Sequence, residues 1–319
     1  MKEEQTESPN RRHSMMTEVL QGLQKKQKAI PGKYFYDERG SDLFEQITRL
    51  EEYYPTRREL EIMQDHLPEI TSQIGEHSIL VELGSGSSRK TRLLLDALPG
   101  LAGYVPVDIS ETYLAEVVQT LKKEYPDLII KPVCADYTQP FQVPEFNHSS
   151  NNYVLFYPGS TIGNFRPEEA RRFLATLSKI LDPEEGMLIG VDLKKDKEML
   201  EAAYNDRKGI TAEFNKNVLI RLNRELEADF DPDHFRHHAF YNEREGRVEM
   251  HLISDKDQTV TIGKEQIRFN KGESIHTENS YKYSPDEFKE LVRPWFSVQR
   301  VWMDKHNHFS VQYLIKEEH

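Results

Sequence analysis

The stretch that decides the fold is residues 79–98, ILVELGSGSSRKTRLLLDAL. Ile79 to Leu83 reads as a buried strand, Gly84-Ser85-Gly86 as a tight turn, and Thr91 to Leu98 as a helix. A glycine-rich turn from strand to helix lets backbone N–H groups approach a ligand, because glycine tolerates contacts and conformations that a Cβ forbids. The glycines stop short of the full G-x-G-x-x-G dinucleotide fingerprint, since Ser88 and Arg89 follow where a third glycine would come. Glu82 stands two residues before the turn, and an acid ending a buried strand is costly without a partner. Arg89, Lys90 and Arg92 sit at the helix start, the positive end of the dipole, where cations are disfavoured. They form either a solvated basic turn or a cation placed to meet a ligand carboxylate.

Working outward, the chain alternates strands and helices as in a doubly wound sheet. GYVPVDI, residues 103–109, is a second strand; its Asp108 comes 24 residues after Gly84, near the ~20-residue interval of a ribose-binding acid. A helix over 112–124 follows, then a strand over Leu128–Ala135 that ends in Asp136 and Tyr137. YVLFY, residues 153–157, runs into a second small-residue turn, PGSTIGNF, residues 158–165. A helix from Pro167 to Leu181 leads to a fifth strand over Met187–Leu193. Glu82, Asp108, Asp136 and Asn164 thus stand at successive strand ends, where open α/β sheets bind ligands.

The flanks read differently. Residues 1–14 are polar and aperiodic, as expected of a disordered tail. Residues 31–63 carry Tyr34, Phe35, Tyr36, Phe44, Tyr53 and Tyr54 on a polar background, which suits either an arm packed on the core or a pocket for a small polar molecule. After residue 195 the alternation stops: 196–230 reads as helical, 247–269 and 273–283 as strands, and 284–292 as a helix. A last hairpin, VQRVWMD-KHNH-FSVQYLI, closes the chain. The expectation is an α/β cofactor domain over 59–195 and 284–319, with an antiparallel last strand. A second, mixed α+β substrate domain takes 15–58 and 196–283.

Composition narrows the function. A formal net charge of -12 over 319 residues argues against binding a nucleic-acid backbone. A single cysteine, Cys134, permits no intrachain disulfide and no cysteine-based zinc site. No apolar run approaches the ~20 residues needed to span a bilayer, and no signal-peptide pattern is present, so a cytoplasmic protein without membrane attachment is expected. The histidines at 234, 237, 238, 306 and 308 lie in polar turns or a hairpin loop without a third ligand class at a recognised spacing, so no metal is expected. Nothing points to an obligate oligomer or a protein partner; a monomer is expected.

Longer motifs are more specific than the glycine turn. FYD at 35–37, GSDLFEQITRLEEYYPTR at 40–57, VELGSGSSRKTRLLLDAL at 81–98, GSTIGN at 159–164, AAYNDRKGITAEFNKNVL at 202–219 and NRELEADFD at 223–231 resemble the ergothioneine-pathway histidine Nα-methyltransferases, over about residues 30–315. The resemblance implies a class I methyltransferase, Rossmann-like sheet and S-adenosylmethionine as cofactor. On that basis Gly84, Ser85, Gly86 and Lys90 would contact the cofactor, Lys90 at its carboxylate. Asp108 would meet its ribose, and Asp136 with Tyr137 its adenine. The substrate would be L-histidine. Tyr53, Asn164 and Tyr204 would hold its amino and carboxylate groups, and Glu278 with Ser280 its imidazole. Phe44, Thr211 and Met250 would wall the pocket, Gly159 and Thr161 would line the transfer point, and Tyr36 would stand near the amine. The departures are Asn279 where a valine is commoner and Pro158 before the glycine.

Methyl transfer from a sulfonium to an amine is an in-line displacement that needs a neutral amine and good positioning more than a strong base. Small residues at 159 and 161 leave room for three successive transfers. The competing readings are an N-methyltransferase for indole amino acids, a cofactor sensor without turnover, and a dehydrogenase. The paired Glu278 and Ser280, the full substrate set, and the incomplete fingerprint with its antiparallel last strand argue against them in turn.

Overall fold

The computed structural model describes residues 9–84, 89–146 and 152–318. Two compact units emerge: residues up to Tyr54 with Lys195–Ser280, and Pro55–Lys194 with Tyr281–His319. The sequence pattern places the joins at 58/59, 195/196 and 283/284; Cα packing places them at 54/55, 194/195 and 280/281.

The second unit is built on a seven-stranded sheet. Its order is Phe296–Met303, Phe309–Lys316, Gly186–Asp192, Asn152–Tyr157, Ser78–Leu83, Gly103–Asp108 and Val133–Cys134. The closing hairpin brings Phe309–Lys316 back between its partner strand and Gly186–Asp192, antiparallel to both; the other pairings are parallel. The antiparallel last strand expected from the sequence is therefore present. Ser78–Leu83 is buried along its whole length. Alternate side chains serve opposite faces: Ile79, Val81 and Leu83 pack with Phe173, Leu174, Phe288 and Leu291, while Leu80 packs with Ile62, Leu94 and Leu114. Helices cover both faces, as a parallel sheet requires. Pro167–Leu177 and Pro285–Val292 lie on one, and Tyr54–Asp65, Arg89–Ala97 and Glu111–Glu124 on the other.

The third parallel strand is shorter than expected. In place of Leu128–Ala135, only Val133–Cys134 pairs, with Val107 and Asp108, and Ile130 makes a single bridge to Tyr104. Pro132 stands between the two contacts and has no N–H to continue the ladder.

The first unit packs helices on a four-stranded sheet, ordered Lys28–Ala29, Ser274–Tyr281, Arg247–Ser254 and Phe235–Asn242. A two-stranded ribbon of Gln258–Ile262 and Glu265–Phe269 joins the same core. The tail expected over 1–14 is corrected here for residues 9–14: a helix runs Pro9–Leu23. Proline suits a helix start, and Met15, Val19 and Leu23, one turn apart, are buried in the core and carry the helix. The helical stretch over 196–230 is two helices, Lys197–Tyr204 and Ile210–Leu226. Between them Asp206 accepts hydrogen bonds from the Ile210 and Thr211 N–H groups at 3.0 and 2.8 Å, which starts the second helix.

Asp37 of the FYD motif joins two helices. It caps Glu38–Ile47 by accepting the Gly40 N–H at 2.8 Å, and it accepts from Asn217 Nδ2 and Arg224 Nη2 at 2.8 Å each. Burial opposes its ionisation, but the hydrogen bonds from Gly40, Arg224 and Asn217 outweigh that and hold the carboxyl below its usual range. A depressed carboxyl contributes stability at neutral pH that is lost as pH falls through its folded-state value. Asp37→Ala is expected to cost about 2 kcal/mol at pH 7, the scale of a cap with a further hydrogen bond. The difference from the parent should narrow below about pH 4. Urea unfolding followed by circular dichroism at both pH values checks this.

Candidate active site

Polar groups gather at the carboxyl ends of the strands in the seven-stranded sheet. Gly84 leaves Ser78–Leu83 at φ +74°, a conformation that favours glycine, with the Tyr137 ring 3.6 Å from where a Cβ would stand. Ser85 and Gly86 lie outside the described residues. Asp108 is half-buried at the end of its strand and accepts the Ser110 N–H at 2.8 Å. Burial pushes its carboxyl up from the usual range, against the hydrogen bonds from Ser110 and Ile109. Asp136 Oδ1 accepts the backbone N–H and the hydroxyl of Thr138 at 2.9 and 2.6 Å, so part of its capacity shapes the turn. Tyr137 is pushed up to about 12 by burial.

Lys90 and the turn after Asn152–Tyr157 meet at one buried carboxylate. Lys90 Nζ donates to Glu59 Oε2 at 2.7 Å, and the Gly159 N–H lies 2.9 Å from both Glu59 oxygens. Gly159 and Ser160 turn with φ of +80° and +56°. Thr161 Oγ1 donates to the Pro158 carbonyl at 2.9 Å, and Asn164 closes the short helix Thr161–Asn164 with an exposed side chain. Glu59 escaped the sequence reading. Its signal was an acid sharing a helix face with the buried Ile62 and Met63, three and four residues on.

In the first unit Tyr36, Phe44, Tyr53, Tyr204 and Ser280, all expected at the substrate, form a connected set. Aromatic contacts run from Tyr36 to Phe44 at 5.7 Å, Phe44 to Tyr53 at 6.2 Å, and Tyr53 to Tyr204 at 6.3 Å. Tyr204 OH then donates to Ser280 Oγ at 2.7 Å. Tyr36 is the exposed end of this chain, at 41%. Thr211 and Met250 are buried, Met250 within the hydrophobic core. Glu278 is half-buried, two residues before Ser280 on the same strand and therefore on the same face. Its backbone carbonyl accepts from His276 Nε2 at 2.9 Å. His276 was also missed, although alternation along the strand puts it on the face of Glu278.

Among the described residues, Glu249, His251 and His276 are close enough to suggest a metal site. The two imidazoles stack at 4.7 Å and 9°, so their in-plane nitrogens run side by side rather than toward one point. Glu249 is instead held by Arg247 Nη2 at 2.8 Å and by His251 Nε2 at 3.0 Å. Of the histidines singled out from sequence, His237 spends its nitrogens on Tyr204 O and Asn215 Nδ2. His306 and His308 stack on each other in a turn whose backbone N–H groups bond Asp304.

The comparison with known proteins decides the family. A profile of histidine-specific, SAM-dependent methyltransferases matches residues 15–316. The chain belongs to that family. The histidine N-alpha-methyltransferase of Mycobacterium tuberculosis is 41% identical over 309 residues, 95% of each chain. Its counterpart in Mycolicibacterium smegmatis is 40% identical with the same coverage. The ergothioneine biosynthesis protein 1 of Schizosaccharomyces pombe is 30% identical over 82% of this chain and 35% of its own length.

This histidine-specific methyltransferase family member is accordingly an S-adenosylmethionine-dependent enzyme on a Rossmann-like class I sheet. The residues suit that cofactor: a turn with no Cβ at Gly84, a half-buried acid at Asp108, and an ammonium at Lys90 for a carboxylate.

Beneath the site, Glu82 is fully buried and accepts from Thr91 Oγ1 at 2.8 and 2.9 Å and from Tyr104 OH. Burial raises its carboxyl from 4.5 to about 7, against the hydrogen bonds from Tyr104 and Thr91. A raised folded-state value favours folding fully below pH 4.5, and the benefit is lost as pH rises through about 7. Across that window this group should remove up to about 3 kcal/mol of stability. Glu82→Gln should lack this slope when urea midpoints are compared from pH 5 to 8.

Proposed function

We propose that this enzyme transfers methyl groups from S-adenosylmethionine to the α-amine of L-histidine, three times, giving Nα,Nα,Nα-trimethylhistidine (hercynine) for ergothioneine biosynthesis. The observation that carries the reading beyond family membership is the 2.7 Å hydrogen bond from Tyr204 OH to Ser280 Oγ. It joins the residue assigned to the amino-acid head group to Ser280, one of the two residues assigned to the ring, so that both ends of the proposed substrate would be read by side chains in direct contact.

When bound, the cofactor supplies an electrophilic methyl group on a sulfonium. The chain's own work is positioning and selection. Gly84, Ser85, Gly86, Lys90, Asp108, Asp136 and Tyr137 hold the cofactor. Tyr53, Asn164 and Tyr204 orient the amino and carboxylate groups, so that the amine is presented as its neutral form. Tyr36, the exposed end of the aromatic chain, accepts the released proton as it passes its own hydroxyl proton to water, or water takes the proton directly. Glu278 accepts an imidazole N–H or pairs with the imidazolium, and Ser280 serves the other nitrogen. Both ring nitrogens then have fixed partners, and a side chain without them leaves those partners unsatisfied, which excludes it by several orders of magnitude. Phe44, Thr211 and Met250 form the wall, while Gly159 and Thr161 leave space for the growing methylammonium. No helix among the described residues is long and apolar enough to cross a membrane, and we assign the enzyme to the cytoplasm as a monomer.

Incubation with S-adenosylmethionine and the twenty amino acids, followed by mass spectrometry, tests this. Histidine heavier by three methyl groups is expected. A methylated indole or other aromatic amino acid would overturn the roles of Glu278 and Ser280, and cofactor binding without any product would overturn the catalytic reading. Glu278→Ala should raise the histidine KM about 10- to 100-fold, the value of a charged hydrogen bond, with cofactor Kd unchanged. Steady-state kinetics and calorimetry read the two constants separately.

A further inference from the structure

Glu59 lies on the Tyr54–Asp65 helix with its side chain wholly buried. Two features at the carboxyl end of the sheet converge on it: the Lys90 ammonium at 2.7 Å and the Gly159 N–H at 2.9 Å from each oxygen. The sheet is shaped to admit it. A Cβ at Gly190, on the Gly186–Asp192 strand, would stand 2.1 Å from Glu59 Oε1 and 3.2 Å from the Gly159 nitrogen. Glycine at 190 thus lets the carboxylate lie flat against the strand and reach the neighbouring turn.

Burying an ion pair in this way gives little net stability compared with apolar residues of the same volume, whereas removing one partner strands the other charge. The arrangement's value is geometric. Lys90 is a flexible four-carbon chain ending in a point charge, so a fixed anion is what defines its position. An ammonium has three donors, so the one given to Glu59 leaves capacity for a second carboxylate. Gly159 needs an anchor for a different reason: its φ of +80° is one that glycine alone adopts freely, and the Glu59 contact holds that conformer.

We propose that Glu59 is a positioning residue for methyl transfer, holding Lys90 where it receives the cofactor's carboxylate and fixing the Gly159 turn at the transfer point. The inference rests on the reading that Lys90 meets that carboxylate. Glu59 itself touches neither cofactor nor substrate; it acts through Lys90 and Gly159.

The test compares Kd by calorimetry for S-adenosylmethionine and for 5′-methylthioadenosine, which lacks the amino-acid carboxylate. The proteins are the parent, Glu59→Gln, Glu59→Asp and Lys90→Met, each checked by thermal unfolding. Lys90→Met and Glu59→Gln should each weaken S-adenosylmethionine about tenfold or more, the scale of a lost charged contact, while 5′-methylthioadenosine stays within about twofold. Glu59→Asp keeps the charge one methylene short and should show the same selectivity; it carries the test if Glu59→Gln does not fold. Equal weakening of both ligands by the Glu59 variants would mean a purely structural role and overturn the proposal. So would Glu59 variants that bind like the parent while Lys90→Met is selective. If Lys90→Met itself shows no selectivity, the reading of Lys90 fails and the proposal falls with it.

Discussion

A parallel sheet buried on both faces admits a charged group only where a partner is supplied, and Glu82, Glu59 and Asp192 are among the carboxylates under that constraint. Glu82 is answered by Thr91 and Tyr104, Glu59 by Lys90 and the Gly159 N–H, and Asp192 by Lys282 at 2.6 Å. Thr91 and Lys90 both come from the Arg89–Ala97 helix, while Tyr104 comes from a neighbouring strand and Gly159 from a turn, so the polar contacts tie one helix, one strand and one turn together at the sheet. Asp192 extends the network through its backbone: its N–H donates to Ser160 Oγ at 2.8 Å, inside the turn that Glu59 holds at the preceding residue. The turn assigned to the transfer point is therefore fixed from two sides. Positioning of this kind matters most for a reaction whose barrier is lowered chiefly by alignment.

The other unit solves a different problem, that of holding a strand rich in polar side chains in an aromatic environment. Ser274–Tyr281 presents His276, Glu278 and Ser280 on one face. Tyr204 fixes Ser280, and His276 fixes the backbone at Glu278. Rings of His238, Phe240, His251 and His276 stack in sequence along the sheet. Burial, with the neighbouring His251, lowers His276 to about 4, so it serves as a neutral donor through Nε2 rather than as a cation. Neutrality there keeps a competing positive charge away from the carboxylate assigned to the imidazole.

The helices that frame this strand combine buried faces, such as Phe214, Val218 and Leu222 on Ile210–Leu226, with polar anchors at their starts. Asp37 and Asp206 each close a helix start, and Asp37 also reaches Asn217 and Arg224 on the long helix. This explains why FYD and AAYNDRKGITAEF stand out in a polar background. The first motif supplies a cap and its buried aromatic; the second supplies a helix end, a capped break and a new helix.

By itself the sequence determined the elements whose information is local. Glycines at a strand end, leucines at helical spacing and acids at successive strand ends specify a strand, a turn and a helix within a few residues of one another. The long motifs carried the family, because many specific residue types recur there in order. Tertiary structure alone decided how polar groups pair across distant segments. Lys90 and Glu59 are 31 residues apart, and Glu59 and Gly159 are 100 apart. No periodicity in either neighbourhood names the other. It likewise decided that the strand expected over 128–135 shrinks to Val133–Cys134, since Pro132 breaks the ladder at a sheet edge. Pattern reports which side of an element faces the core; which charge waits there is settled only when separate elements pack and every buried charge must find its counterpart.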